Sequence, residues 1–249
     1  MELLLVPVAM LAFVGVWALV AYVGDYPTFF LPNPRQVWIR FLAVAADGSL
    51  WYHTSITLVE ILGGLALGLA VATVLGYVLA KSPLAERFLS PYIVASQSVP
   101  IVALAPLLIV WFGFGLTSKV LVCALTIFFP VLINTIVGLR SVEANMMDLM
   151  RSLEASRWQV FRFLEVPAAL PVLFGGLKVG VTLSVIGAVV GEFAQSDRGL
   201  GFLVNLANRG LFDTPLMFVA LVVLMTIALA LYGLVSALEA LLFRWKRGN

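Results

Sequence analysis

Apolar residues fall along this chain in long runs bounded by charged or turn-forming residues, and they hardly alternate with polar ones. The runs cover residues 3–23, 56–80, 88–112, 120–139, 168–193 and 215–243. Each is close to the roughly 20 residues that a helix needs to cross about 30 Å of hydrocarbon. A helix also satisfies its own backbone groups where no water is present. The pattern predicts an all-α, polytopic membrane protein with about six transmembrane helices. The segments left over are too short for a second domain, so residues 1–249 read as one transmembrane domain.

Composition supports lipid as the solvent: 62% of the chain is hydrophobic and only 11% is charged. Ordinary soluble domains are nearer half apolar and a quarter charged. A net charge of +2 is too small for an electrostatic nucleic-acid binder. The single cysteine, Cys123, lies in an apolar run and allows no intrachain disulfide. The first run has no positive residues before it and no persuasive cleavage site, so it reads as a retained helix and not a signal peptide.

Charge placement says more than charge total. Six spans put both termini on one side. That side holds nine basic residues, namely Lys81, Arg87, Arg140, Arg151, Arg157, Arg162, Arg244, Lys246 and Arg247. The opposite loops hold five, namely Arg35, Arg40, Lys119, Arg198 and Arg209. The excess places the termini in the cytoplasm. On the outer side, Val37, Phe41 and Val44 recur at helical spacing after Pro32 and Pro34, which read as excluding early helix, and suggest an interfacial helix. Residues 194–214 are too polar to span and suggest a short lid-like element.

The inner segment 140–167, RSVEANMMDLMRSLEASRWQVFRFLEVP, carries four basic and four acidic residues. Met146, Met147, Leu149, Met150 and Leu153 can share one side of a helix, with Glu143, Arg151 and Glu154 elsewhere. Two readings fit, a linker lying on the bilayer surface or an adaptable Met-rich face for a partner groove.

Polar groups inside the spans mark a second set of candidates. Pro91, Pro100 and Pro106 interrupt the third run, and Ser96, Gln97 and Ser98 precede the middle one. Irregular backbone at membrane depth belongs where it is buried or faces water. Ser96, Gln97 and Ser98 are therefore candidates for the substrate path, with Asn134, Thr135, Thr182 and Ser184 beside them; satisfying the kink is the competing role. In the fifth run, Gly176, Gly180, Gly187 and Gly191 form a stripe suited to close packing. Lys178 and Glu192 lie opposite it. Lys178 either snorkels inward or borders the path, and Glu192 is an outer-gate or a structural residue. Glu60 shares a face with Gly64 and Gly68, which suggests an interhelix hydrogen bond or ion pair. His53 reads as a surface side chain, and one histidine makes no metal site.

The stretch Asp148-Leu149-Met150, then Glu154, then Ala155-Ser156-Arg157-Trp158-Gln159-Val160-Phe161, then Val166-Pro167-Ala168-Ala169-Leu170-Pro171 resembles an inner-loop motif of bacterial ABC importer permeases. The family concerned carries nitrate, taurine, alkanesulfonates and vitamin precursors. The chain departs from the motif at Asp148, at Leu149-Met150 and at Glu154, which stands where the family has glycine. Losing that glycine removes an easy positive-φ position, so the break between two coupling helices is expected to be softer or displaced. The resemblance extends collinearly through Leu31-Pro32-Asn33-Pro34, residues 98–107, Trp111-Phe112-Gly113-Phe114-Gly115, Phe128-Phe129-Pro130, Gly191-Glu192-Phe193 and Arg198-Gly199-Leu200-Gly201.

The resemblance implies the type I ABC importer permease fold in a bacterial inner membrane, with segment 140–167 as a cytoplasmic coupling loop. It implies that Asp148, Leu149, Met150, Leu153, Glu154, Ala155, Ser156 and Trp158 couple to an ATPase subunit. Implied partners are two such ATPases, an extracytoplasmic substrate-binding protein, and a second copy forming a homodimer in the bilayer. ATP and Mg would bind the partner ATPase, with no cofactor on this chain. No G-x-x-x-x-G-K-[ST] loop occurs in the sequence, so the chain reads as no enzyme. The variant inner motif resembles the branch assigned to riboflavin or hydroxymethylpyrimidine uptake, with alkanesulfonate, taurine or nitrate as the alternative. An ion-coupled secondary transporter or channel is the alternative class, for which no 3+3 repeat stands out. An intramembrane enzyme has too few catalytic groups to build from.

Overall fold

The computed structural model describes residues 2–243; Arg244, Lys246 and Arg247 lie outside the described residues. Among the described residues there are eleven α-helices and no strand. Five of the six apolar runs correspond to α1 (Glu2–Val23), α3 (Ser49–Lys81), α6 (Leu116–Arg140), α9 (Val166–Gln195) and α11 (Thr214–Leu242). The last four are long and apolar enough to cross a membrane, whereas α1 contributes a shorter apolar stretch, Leu11–Val23.

The run 88–112 is expected as one span and is instead two helices, α4 (Pro83–Gln97) and α5 (Ile101–Phe112), bent by 97°. Pro100 has no N–H to continue the helix and disfavours helical backbone at Val99 before it. It sits extended, at φ −63° and ψ 124°, as the N-cap of α5. Counting this pair as one span gives up to five spans among the described residues.

The fold divides into two compact units, Met1–Thr57 with Ser196–Thr226, and Leu58–Gln195 with Ile227–Asn249. In the first unit, α2 (Pro34–Ala46) begins at a proline expected to exclude helix. Pro34 occupies the first helical position, where its missing N–H costs nothing. Asn33 caps it in a reciprocal capping box with Gln36. The helix turns Val37 and Val44 inward and leaves Trp38, Ile39 and Leu42 exposed. Hydrogen bonds between segments distant in sequence tie the unit together. Arg40 Nε donates to Asp213 Oδ2 at 2.7 Å, Thr214 Oγ1 to the Phe29 carbonyl at 2.8 Å, and Trp17 Nε1 to the Pro32 carbonyl at 3.1 Å. Between α2 and α3, Asp47 accepts both the N–H and the hydroxyl of Ser49, which holds its carboxyl below the usual range.

In the second unit, α6 and α9 pack along each other, with α3 and α5 against them. Glycines set the spacing. A Cβ at Gly64 would lie 2.1 Å from the Cys123 Cβ, one at Gly187 2.9 Å from the Cys123 Cα, and one at Gly176 2.8 Å from the Asn134 Cβ. The expected glycine stripe of α9 thus faces α6, and Cys123 is packed between two glycines. Lys119, expected in an outer loop, lies inside α6 and is buried.

Candidate functional site

The segment 140–167 forms two short helices and a wide turn. Its first helix, α7 (Ala144–Ser152), ends at Leu153, and α8 (Arg157–Val160) starts after Ser156. The break falls at Glu154 and is not displaced along the chain. Glu154 itself adopts φ +52°, the left-handed conformation that favours glycine. Around it, the Ala155 N–H donates to the Met150 carbonyl and the Glu154 N–H to the Arg151 carbonyl, both at 3.0 Å. That pairing is a Schellman ending, so two backbone bonds hold a non-glycine residue where glycine would sit without strain. Ser156 then caps α8: it accepts the Gln159 N–H at 3.3 Å, while Gln159 Oε1 accepts the Ser156 N–H at 2.7 Å.

This geometry presents Met146, Leu149, Leu153 and Trp158 to the outside, and leaves Met147 and Met150 half-buried. Asp148 pairs with Arg151 at 2.9 Å on the exposed face. Glu154 and Ser156 are exposed and Ala155 is half-buried between them. The coupling candidates therefore lie together on α7, the turn after it and the start of α8. Beyond α8 the chain widens into a π turn, Phe161–Glu165, before α9. Glu165 is buried there and pairs with Lys81, the last residue of α3. Arg140, at the end of α6, pairs with Glu86 of α4. Tyr77 packs edge-on against Phe161, which stacks on Trp158. A largely apolar cavity of about 550 Å³ lies behind α8, lined by Tyr77, Thr135, Trp158, Phe161 and Leu173 among others. Two ion pairs thus pin the ends of the segment, while its centre rests on open space.

The path candidates are spread more widely. Ser96 and Ser98 are exposed at the α4–α5 bend, and their hydroxyls donate to the Tyr92 carbonyl at 2.7 Å and the Val94 carbonyl at 3.5 Å. Gln97 is exposed beside them. Asn134 is half-buried and donates to the Pro130 carbonyl at 2.8 Å, supplying a partner in the turn that Pro130 sits in. Ser184 is fully buried and donates to the Val181 carbonyl at 2.7 Å. Thr135 is buried and Thr182 exposed, each bonded to the carbonyl four residues earlier. Most of these hydroxyls serve their own helix.

The ionisable groups of the spans are organised in pairs, as expected for Glu60, with partners that the sequence pattern does not reveal. Lys178 reaches Glu239 of α11 and lies 5.9 Å from the centre of the Tyr232 ring. Lys119 Nζ stands 3.3 Å from Glu60 Oε1, and Glu192 lies beside Glu60. Glu60, Lys119 and Glu192 are all buried, so α3, α6 and α9 share a charged group in their interior. Among the described residues no three His, Cys, Asp or Glu side chains come together as a metal site.

His53, expected at the surface, is half-buried and accepts the Gly199 N–H at its Nδ1 at 2.9 Å. One turn on, Thr57 Oγ1 accepts the Leu200 N–H at 2.8 Å. Sequence reasoning missed this pair because only its i, i+4 spacing at the head of a helix hints at it, and its partner lies 143 residues away.

Comparison with known proteins adds four findings. Residues 64–244 match the model of the binding-protein-dependent transport system inner membrane component family. The riboflavin transport system permease protein RibX of Chloroflexus aurantiacus is 49% identical over 240 residues, covering 96% of this chain and 89% of that protein. The formylaminopyrimidine transport permease protein ThiX of Halalkalibacterium halodurans is 33% identical over 232 residues, covering 93% of this chain and 92% of that protein. Among solved structures, the inward-facing MetNI methionine ABC transporter overlays with a TM-score of 0.61 at 18% identity, covering 78% of this chain and 94% of that one.

Proposed function

The chain belongs to the family of inner membrane components of binding-protein-dependent transport systems and is an ABC importer permease, and on that premise we propose that α7 and α8 are its point of contact with an ATPase subunit and that its solute is riboflavin. The fold is the all-helical type I importer permease fold, and the protein is a multi-pass component of the inner membrane.

The observation that carries the coupling role is the outward array of Met146, Leu149, Leu153 and Trp158 on two helices joined by a fixed turn. Apolar side chains so exposed on a charged extramembrane segment suit a protein partner better than water. ATP and Mg act on that partner, and ATPase closure moves the permease only through contacts that differ between its two states. Residues 1–249 work as one permease domain with 140–167 as its coupling loop, both termini in the cytoplasm, as a homodimer fed by an extracytoplasmic binding protein. In this reading Ser96, Gln97, Ser98 and Asn134 border the path, and Ser184 and Glu192 support it from within the helix packing.

Riboflavin is favoured by the 49% identity to a riboflavin permease, against 33% to a formylaminopyrimidine permease. The electrostatics agree. Both lysines inside the long spans, Lys119 and Lys178, already face a carboxylate of this chain, so neither offers an unbalanced positive charge to a sulfonate or nitrate. A solute without net charge meets no such need.

The test of docking is the double variant Met150→Glu with Leu153→Asp. Copurification of the cognate ATPase subunit is expected to be lost while the permease still inserts; an undiminished complex would remove the docking role. Riboflavin binding by the cognate extracytoplasmic receptor, with no measurable taurine or sulfonate binding, is the expected result for the solute. The reverse selectivity would reassign it.

A further inference from the structure

The start of α10 (Leu200–Leu206) lacks a cap of its own. Its N-cap is Gly199, at φ +105°, which has no side-chain oxygen to accept the first free N–H groups of the helix. Those donors are met from α3. His53 Nδ1 accepts from Gly199 at 2.9 Å and Thr57 Oγ1 from Leu200 at 2.8 Å. The two acceptors are four residues apart and so share one helix face. The ring of Phe202 stacks on His53 at 5.7 Å and that of Tyr52 meets it edge-on at 5.2 Å. The imidazole is therefore held by one hydrogen bond and two ring contacts, with Nδ1 in use as an acceptor.

An imidazolium has no lone pair on either nitrogen and can only donate. We propose that His53 is a positioning residue that, together with Thr57, caps α10 from α3 and seats the segment 196–211, and that protonation of its ring releases the histidine half of that cap. The titratable and charged groups around the ring are Tyr52 on α3 and Asp197 and Arg198 on the segment. Arg198 is engaged with Asp197 at 3.0 Å, so this neighbourhood carries a balanced pair. Thr57 does not titrate, which leaves half the cap independent of pH.

Hydrogen exchange of peptides covering 196–206, on the full chain in lipid nanodiscs between pH 5 and 8 and corrected for intrinsic rates, tests this without reference to transport. The wild type is expected to lose protection about fivefold as the pH falls from 8 to 5. His53→Asn keeps an acceptor that does not titrate, so its protection should be flat with pH. His53→Leu should hold the reduced protection of the acidified wild type at every pH, with the Thr57 half of the cap intact. Thr57→Val should raise exchange at every pH yet keep the wild-type step. Identical pH profiles for the wild type and His53→Asn, or full protection in His53→Leu at pH 8, would overturn the proposal. Loss of the ATPase contact tested above would leave this result untouched, so the two readings fail separately.

Discussion

Charge does different work at the α7–α8 turn and in the group formed by Glu60, Lys119 and Glu192. At the turn, Asp148, Arg151 and Glu154 are in contact with water, and their shape is fixed by backbone bonds around a left-handed residue. Exposed pairs of this kind contribute little because water screens them. Their role is to keep the loop out of the hydrocarbon while its apolar side chains stay available. In the interior the side chains of Lys119 and Glu60 are only 4% and 1% exposed. There, the pairing itself decides which helix faces meet, since an isolated charge in that setting is costly. One region uses charge for solubility and backbone for form; the other uses charge for form.

The contrast is sharpest where a charge is removed. Lys119→Met leaves the buried Glu60 and Glu192 side chains without the lysine beside them and is expected to cost about 3–5 kcal/mol. That corresponds to a fall of roughly 10 °C in the unfolding midpoint of the detergent-solubilised protein. A fall below about 2 °C would erase the distinction between the two regions. Glu154→Gly removes a charge and relieves left-handed strain, a net gain of about 0.5 kcal/mol after glycine's own entropic cost. It should slow hydrogen exchange across 144–156 about twofold and leave ATPase copurification intact. Faster exchange would mean that the glutamate side chain, and not the backbone, holds the turn. Arg151→Ala removes an exposed i, i+3 pair and should change stability by less than about 0.5 kcal/mol, within the scatter of a thermal melt.

Legibility from the sequence followed the range of the interaction. The apolar runs gave α6, α9 and α11 within a few residues and the end of α3, which starts seven residues before its run, because a lipid solvent leaves long helices as the simple solution. The glycine stripe of α9 was also readable, since its four positions share a face whatever lies opposite. Pro100 was visible as a disturbance, but whether a proline kinks or breaks a helix depends on the packing after it, and here the bend is 97°. Glu154 misled because propensity disfavours a left-handed glutamate, and the two bonds from residues 154 and 155 outweigh that preference. An interhelix partner for Glu60 was expected and is found, but its identity as Lys119 could not be read, nor could Lys178 with Glu239 or His53 with Gly199. Each depends on the rotation of one helix relative to another, which no local pattern encodes.

The run from Arg157 to Ala194 is continuous helix apart from the π turn at Phe161–Glu165, and Lys81 grips that turn through Glu165. On the proposed docking at α8, a rigid tilt of this helix would pivot near Glu165. At 1.5 Å per residue the short arm back to Arg157 is about 12 Å and the long arm to Ala194 about 44 Å. A rigid tilt about that point would turn a 2 Å displacement of α8 into roughly 7 Å at the far end of α9. On that proposed docking, the position of the Lys81–Glu165 pair would set the ratio of the two arms, and moving it one turn along either helix would change the amplitude delivered.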